Sequence, residues 1–292
     1  MKEIKQQRYS INDFNNQFPN DDACLEWLKN IRYPDGIHCS KCNKITSHYK
    51  VTGRPCYVCD ICGHHVYPMA GTILEKSATS IRLWFYAIFI MSNTRCGVSA
   101  KELQRQLRVT YKTAWRMFKQ IRSMLNEDIM TLLNEVEIDE TYVGGKHHGK
   151  RGRGSENKTP VFGMTERKGD VIAMVVPDVK SKTIIPAIKE KVLSKSIIYT
   201  DEFPTYNQLP RLGYQHKRVH HAQKIYVAGE AHTNTIEGFW SLVKRGISGA
   251  NHAISAKYLQ GYLNAYAFRW NHRSDDSPMF LQMLSRLSSL KV

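Results

Sequence analysis

The chain has 292 residues and carries 42 Lys and Arg against 26 Asp and Glu, which gives a formal net charge of +16. A balance this basic favours a polyanionic partner such as nucleic acid and by itself leaves the fold open. The polar start MKEIKQQRYS lacks the apolar core of a secretory signal, and the longest apolar run, residues 83–91, is too short for a bilayer and predicts a buried helix. These features argue against a secreted or membrane-spanning protein, and we expect a cytoplasmic one that associates with the nucleoid.

Two CxxC pairs lie near the N-terminal end of the chain. CSKC contains Cys39 and Cys42, and CDIC contains Cys59 and Cys62, with the β-type stretch HYKVTGRPCYV between them. This double spacing is typical of a zinc ribbon, in which two turns present four thiolates to one ion. A site with four sulfur ligands has no open position, so we predict a structural zinc that performs no chemistry.

A second register of the cysteines is formally possible, because Cys56 also stands in CxxC spacing to Cys59. We favour the register with Cys62. Gly63 follows it, and a glycine there lets the chain turn back beneath the metal with a positive φ.

A pair of helices is predicted within residues 97–125. Ser99 and Glu102 have the spacing of a capping box at the start of a short first helix, and RVTY supplies the turn. The second helix has an apolar stripe, and its basic residues lie nearer the other face: Lys112, Arg116, Lys119 and Arg122. This order is typical of a helix-turn-helix whose second helix enters the major groove of DNA. A plain helical hairpin is the alternative, and the positive charge favours DNA contact.

Short β-type runs begin near residue 135, where three strands, a crossover helix and a fourth strand predict a mixed α/β sheet. Asp139 lies within the first strand, Asp201 ends the strand IIYT, and Glu237 belongs to a helix over about 234–247. Each acid alone fits an ordinary turn or surface position. Together they form a candidate site, since like charges held close need a cation, and carboxylate oxygens prefer Mg²⁺ or Mn²⁺.

Three neighbouring acids compete with these candidates: Glu137, Glu140 and Glu202. Strand alternation places Glu137 on the same face as Asp139 and points Glu140 the other way. We therefore assign Glu137 a supporting role at most.

Basic residues near the acids are candidate DNA contacts. Lys244 lies two helical turns after Glu237 on the same face, where it can hold a phosphate, and Arg245 follows it. The glycine-rich stretch 144–158 clusters Lys146, Arg151 and Arg153 between two predicted strands. We expect this loop to become ordered on DNA phosphates, with a merely solvated loop as the alternative.

The chain resembles the DDE transposases of bacterial insertion sequences, of the ISXO-like kind that carries an N-terminal zinc ribbon. The resemblance covers nearly the whole chain and rests on five motifs in order: CLEWLKNIRYPDGIHCSKC, then AGTILEKSATSIRLWFYAIFIM leading into GVSAKELQRQLRVTYKTAWRMFKQIR, then VEIDETYVGGK, YTDEFPTYN and HTNTIEGFWSLVKRGI. The first knuckle departs from the family, which usually has a proline and a glycine there. The resemblance implies a ribonuclease-H-like fold whose catalytic acids are Asp139, Asp201 and Glu237.

The same resemblance implies a function on double-stranded DNA. The enzyme would bind the element's terminal repeats, cleave its ends and join the freed 3′-OH to target DNA by two-metal phosphoryl transfer, as a homo-oligomer on DNA. We expect an N-terminal helix and zinc ribbon over 1–75, a helix-turn-helix region over 76–130, and the catalytic domain with C-terminal helices over 131–292. A DNA-binding regulator without catalysis and a nuclease that cuts without joining are the two alternatives.

Overall fold

The computed structural model describes residues 9–94, 96–127, 131–144, 158–219 and 233–288. The chain divides into two compact units. The first consists of Met1–Thr94, Val98–Met124 and Ser274–Val292, and the second consists of Arg95–Gly97 and Leu125–Arg273. Both units are therefore discontinuous in sequence.

The helices and strands of the described residues are as follows. The α-helices are α1 (Ile11–Gln17), α2 (Asp21–Arg32), α3 (Ile81–Asn93), α4 (Ala100–Leu107), α5 (Tyr111–Ser123), α6 (Ser181–Lys191), α7 (Asn234–Gly246), α8 (Ala256–Asn271) and α9 (Met279–Ser285). The strands are β1 (His38–Cys39), β2 (Lys44–Ile45), β3 (His48–Lys50), β4 (Tyr57–Cys59), β5 (His65–Val66), β6 (Glu135–Val143), β7 (Thr159–Glu166), β8 (Val171–Val175), β9 (Ile197–Thr200) and β10 (Gln215–Arg218). None of the described helices is both long and apolar enough to cross a membrane.

The first unit has a core of packed aromatic rings. Phe14 of α1 and Phe89 of α3 both contact Phe280 of α9, with ring centroids 5.8 and 5.7 Å apart, and Phe18 contacts Phe85 at 5.1 Å. Edge and tilted contacts at these distances add stability beyond the apolar area that they bury. Helix α9 thus belongs to the core of the first unit, whereas the sequence grouped it with residues 131–292.

Helices α4 and α5 form a tight pair in the first unit. Ser99 caps α4, where its Oγ accepts a hydrogen bond from the Glu102 N–H at 3.1 Å, and Thr110 caps α5 in the same way. The short turn between the helices passes through Arg108 in the left-handed conformation, with φ 53°. The helix pair that the sequence predicts is therefore present, with its turn at 108–110.

The second unit contains a five-stranded mixed sheet in the order β10-β9-β6-β7-β8. Strand β7 runs antiparallel to β6 and β8, while β9 runs parallel to β6, and β10 runs parallel to β9. This arrangement confirms the mixed α/β sheet expected from the sequence. The register of β6 and β9 pairs Glu137 with Tyr199, so Asp139 lies two residues further along β6 and Asp201 lies just beyond the end of β9.

The two faces of this sheet are covered by different helices. On one face, Val136 and Ile138 of β6 pack in a buried cluster with Ile184 and Ile188 of α6. Strand alternation sends Glu137 and Asp139 to the opposite face, where α7 packs against β6 and β7. The site described below lies on this second face.

The β8 edge of the sheet is covered by side-chain amides of α8. Gln260 accepts from the Val175 N–H at 2.7 Å and donates to the Ala173 carbonyl at 3.0 Å. Asn271 accepts from the Val171 N–H at 2.8 Å and donates to the Val171 carbonyl at 3.1 Å. These bonds satisfy backbone groups that an open edge would offer to another strand.

Candidate active site and zinc cluster

Four cysteine sulfurs converge between the knuckle turns of the first unit. The Sγ atoms of Cys39 and Cys62 are 3.5 Å apart, and those of Cys42 and Cys59 are 3.9 Å apart. All four lie within 4.8 Å of one another, and they are the one group of three or more metal-ligand side chains this close among the described residues. Cys56 is buried outside this group, so the structure adopts the register that uses Cys62.

The surroundings of the sulfurs suit a bound cation. Gly63 has φ +69°, and its N–H donates to the Cys59 carbonyl at 3.0 Å, which closes the second knuckle. A hydrogen bond from Thr46 lowers the pKa of Cys59 to about 6, whereas the hydrogen bond of Cys42 to Cys62 raises the pKa of Cys42 to about 12. Four crowded thiols cannot all ionise unless a cation offsets their charge, and four thiolates are the ligand set that structural zinc prefers.

The three candidate acids all lie in the second unit. Asp139 lies on β6 and Asp201 follows the last residue of β9, and both are half-buried; Glu237 lies in the first turn of α7 and is exposed. Asp201 accepts a hydrogen bond from the Phe203 N–H at 2.9 Å. Glu237 accepts one from the Thr233 hydroxyl at 2.9 Å. Each of these two carboxylates is thus oriented by a local donor.

The pKa of Asp139 responds to burial and to the neighbouring acids. Burial raises the pKa of Asp139 to about 7, with further increases from the negative charges of Glu140, Asp201 and Glu237. Their carboxylate oxygens match the hard ligands that Mg²⁺ and Mn²⁺ prefer, and a cation here would favour the ionised form of Asp139. The oxygen ligands of the three acids therefore suit a divalent metal. Among the described residues, only the cysteine group has its potential ligand atoms within 4.8 Å of one another, and the three carboxylates do not form such a group.

Helix α7 packs on the sheet directly beside Asp139. Gly163 of β7 is the cross-strand partner of Asp139, and a Cβ placed on it would lie 2.3 Å from Cζ2 of Trp240 and 3.0 Å from Cδ1 of Ile236. Only a glycine leaves room for the indole at this point. Trp240 is only 3% exposed and belongs to the core.

A second link between α7 and the sheet is formed by Glu137, which is fully buried. One of its oxygens accepts from the backbone N–H groups of Thr235 and Ile236 at 2.8 and 3.1 Å. The other accepts from the Thr235 hydroxyl at 3.1 Å and from Nε of Arg167 at 3.3 Å. Sequence alternation gave the correct face for this residue, but no pattern in the sequence indicated its partners.

Glu140 is directed to the other face of β6, as alternation predicts. It accepts a hydrogen bond at 2.7 Å from the hydroxyl of Tyr206, a buried side chain in the short 3₁₀ helix Pro204–Gln208. Burial and the charge of Glu140 hold the pKa of this tyrosine well above its usual value, so the hydroxyl stays a donor. Glu140 therefore influences Asp139 through its charge while its side chain is held elsewhere.

The candidate DNA contacts differ in their surroundings. Lys112 and Lys119 are exposed on α5, and Lys244 and Arg245 are exposed in the last turn of α7. Arg116 is exposed, and it also donates to the hydroxyls of Ser77 and Thr79 at 3.1 and 3.3 Å. Three further candidates lie outside the described residues: Lys146, Arg151 and Arg153.

Arg122 does not lie on the solvent face where the sequence placed it. It is 3% exposed, its guanidinium lies 4.1 Å from the ring centroid of Phe118, and its Nε donates to the Phe118 carbonyl at 3.1 Å. Helical periodicity misjudged this position because an arginine with a long apolar stem can extend the apolar stripe and stack on an aromatic face.

Two solved structures are similar to parts of this chain. One is a pre-cleavage Mos1 transpososome, with a TM-score of 0.28 and 11% identity over 71% of this chain and 78% of that one. The other is the Mos1 strand transfer complex, with a TM-score of 0.21 and 9% identity over 66% of this chain and 78% of that one. Scores of this size do not establish a shared fold.

Sequence comparisons are more informative. Residues 131–271 match an ISXO2-like transposase domain, and residues 19–65 match a transposase zinc-ribbon domain. An uncharacterized protein in transposable element ISH50 of Halobacterium salinarum is 28% identical over 86% of this chain and 91% of its own length. An uncharacterized transposase-like protein of Haemophilus influenzae is 34% identical over 36% of this chain and 84% of its own length. The chain therefore belongs to the ISXO2-like transposase family and carries the zinc-ribbon domain of that family.

Proposed function

We propose that this chain is the DDE transposase of an insertion sequence, in which Asp139, Asp201 and Glu237 form the catalytic triad. The observation that carries the assignment is the placement of the acids: Asp139 lies on β6, Asp201 lies just beyond the neighbouring parallel strand β9, and α7, which carries Glu237, packs against β6. The pKa of Asp139 agrees with this placement, since burial raises it and the charges of Glu140, Asp201 and Glu237 raise it further. Buried like charges are costly, and they are retained where they serve chemistry or bind a cation. Family membership supports the same assignment, as does a strand order compatible with the ribonuclease-H-like fold that the motifs imply.

The proposed reaction has two steps at phosphorus. Water attacks the phosphodiester at the element's end, the bond from phosphorus to the 3′ oxygen breaks, and that oxygen takes a proton to become a 3′-OH. This hydroxyl then attacks a target phosphodiester, so a new bond from oxygen to phosphorus forms and the target's own 3′ oxygen leaves and is protonated. Two Mg²⁺ or Mn²⁺ ions held by the triad would activate the nucleophile and stabilise the leaving oxygen.

The side chains around the triad have distinct tasks in this proposal. The Thr233 hydroxyl orients Glu237, and the Phe203 N–H orients Asp201. Lys244, exposed on α7, is suited to hold a phosphate of the bound strand. No side chain needs to form a covalent bond to DNA, because both nucleophiles are oxygen atoms of water or DNA.

DNA binding in this proposal uses surfaces of both units. In the first unit, α4 and α5 act as a helix-turn-helix with Lys112, Arg116 and Lys119 toward the DNA, next to a ribbon stabilised by structural zinc. In the second unit, the contacts come from Lys244 and Arg245, and we assign further contacts to Lys146, Arg151 and Arg153, which lie outside the described residues. Two element ends must be held together for joining, so we expect a homo-oligomer on DNA.

Strand joining tests the proposal directly. Purified zinc-loaded protein is incubated with labelled DNA that carries the element's own end, a target plasmid and Mg²⁺ or Mn²⁺, beside the variants Asp139→Asn and Glu237→Gln. We expect transfer of label to the plasmid with the wild type and a loss of about a thousandfold or more in both variants. Glu202→Gln is the matched control, because Glu202 is an exposed acid next to Asp201 and outside the proposed triad.

The alternatives predict different outcomes. If wild type and Asp139→Asn bind the labelled end equally and neither cuts nor joins it, the protein is a DNA-binding regulator. If the wild type cuts the end but no label reaches the plasmid, it is a nuclease. If Glu202→Gln loses as much activity as Glu237→Gln, the triad has been assigned to the wrong acids.

A further inference from the structure

We infer that Glu137 is a positioning residue that anchors the first turn of α7 to β6 and thereby sets the place of Glu237 relative to Asp139. The inference rests on the proposed function, since it concerns the geometry of the proposed triad. It assigns a role to an acid that lies outside that triad. The contact joins residues 98 and 99 positions apart in the chain.

The location of the contact is the first part of the argument. On β6, Glu137 precedes Asp139 by two residues and shares its face of the strand. On α7, the backbone groups that it binds belong to Thr235 and Ile236, next to Glu237. One carboxylate therefore joins the strand that carries one candidate acid to the helix turn that carries another.

The chemistry of the contact is the second part. The first N–H groups of a helix have no partners within the helix, and they form the positive end of its dipole. Thr233, at the N-cap position of α7, makes no capping hydrogen bond with its own side chain. Its hydroxyl donates to Glu237 instead. Glu137, on β6, accepts hydrogen bonds from two of the first N–H groups of the helix. Charge-assisted bonds of this kind are about twice as strong as neutral ones.

The third part concerns the cost of burial. A fully buried carboxylate is strongly unfavourable unless a charge and hydrogen bonds offset it. Arg167 supplies the charge, since its guanidinium bonds both Glu137 and Glu135 and lies 3.7 Å from the ring centroid of Tyr199. Hydrogen bonds are directional. A buried carboxylate that accepts hydrogen bonds from one helix turn therefore fixes that turn more tightly than apolar packing alone.

Glu135 provides a matched comparison. It lies on the same strand and also pairs with Arg167, at 3.1 Å. Its carboxylate accepts hydrogen bonds from Arg167 and Tyr199 and, among the residues that the structure describes, from none in α7. The change Glu135→Gln therefore perturbs the arginine without touching the helix. Glu137→Gln keeps the shape of the side chain and removes the charge that faces the helix N–H groups.

The experiment uses the full zinc-loaded chain and has two readouts. Hydrogen exchange followed by mass spectrometry on a peptide covering 233–240 reports the first turn of α7 without any substrate or catalytic metal. We expect Glu137→Gln to speed exchange in this peptide by about tenfold. Exchange in peptides from β7 and α8 should stay at the wild-type rate, and Glu135→Gln should leave all of these peptides unchanged.

The second readout is joining as a function of Mg²⁺ concentration. We expect Glu137→Gln to lower the maximal joining rate by about tenfold to a hundredfold, because small displacements of a reacting group have effects of this size. The Mg²⁺ concentration that gives the half-maximal joining rate should rise. Binding of the end DNA should be unchanged. Should Glu137→Gln fail to fold, Thr235→Val removes one 3.1 Å bond of the same contact, and the expected changes are smaller in the same direction.

Three results would overturn the inference. The first is unchanged exchange in residues 233–240 together with wild-type joining. The second is faster exchange throughout the second unit, which indicates a general loss of stability. The third is an equal effect of Glu135→Gln. If the wild type itself does not join DNA, the proposed function fails, and the exchange data alone still decide whether Glu137 anchors α7.

Discussion

Gly163→Ala is the sharpest test of how the sheet holds α7. A Cβ at this position would lie 2.3 and 2.8 Å from two ring carbons of Trp240, whereas carbon atoms pack at about 3.5 to 4.0 Å. Trp240 is 3% exposed and cannot swing aside without losing its burial. Overpacking of this kind costs about 1 to 3 kcal/mol, which for a unit of this size lowers Tm by about 2 to 12 °C. The displaced helix carries Glu237, so strand joining should fall by about tenfold or more.

The measurement is the thermal transition of the second unit in the zinc-loaded chain, with strand joining measured on the same samples. Gly249→Ala is the control, because a Cβ there meets nothing within 4 Å, and it should change stability by less than about 1 kcal/mol. Trp240→Phe in the Gly163→Ala background should recover part of the loss, with a coupling of about 1 kcal/mol or more. A Gly163→Ala variant that melts and joins DNA like the wild type would refute this account of the packing.

Other predictions concern protonation, orientation and zinc. Because Asp139 has a pKa of about 7 in the folded state and 3.8 as a free side chain, the unfolded chain ionises first, and stability should fall between pH 4 and 7 by at most about 4 kcal/mol. Urea unfolding at pH 5 and pH 8 without added divalent metal checks this, and Asp139→Asn should remove that share of the pH dependence. Thr233→Val removes the 2.9 Å hydrogen bond to Glu237 and should slow joining by about tenfold while costing about 1 kcal/mol of stability, measured by a Mg²⁺ titration and by denaturant unfolding. Cys59→Ser should abolish binding of one zinc per chain and unfold the ribbon while the transition of the second unit is unchanged, as metal analysis and calorimetry would show.

Features encoded in short stretches could be predicted from the sequence. The two CxxC pairs fix which sulfurs meet, because the knuckle is a local turn and Gly63 supplies the positive φ that it needs. The alternation of β6 gave the faces of Glu137, Asp139 and Glu140. The helix cap at Ser99 follows from the same kind of local chemistry.

Features that depend on distant contacts could not be predicted. The bonds of Glu137 to α7 and to Arg167 join three separate segments, and single-sequence periodicity contains no information about such pairs. Gly163 shows the same limit, since a glycine within a strand indicates a close approach without saying what approaches. The prediction that Arg122 lies on the exposed face of α5 was wrong. It relied on the charge of the side chain, whereas the position of Arg122 one helical turn after Phe118 brings it against that ring.

The position of Phe280 links the order of synthesis to the order of folding. The rings of Phe14 and Phe89 leave the ribosome long before their partner on α9, and at about 5 to 20 residues per second the delay is roughly 13 to 53 s for Phe14 and roughly 10 to 40 s for Phe89. During that time the aromatic core of the first unit is incomplete, while the whole of the second unit is being made. A chain cut short by a nonsense codon or a frameshift anywhere before α9 would therefore lack a finished aromatic core in its first unit. Truncated copies of the gene are thus poorly suited to yield a stably folded first unit.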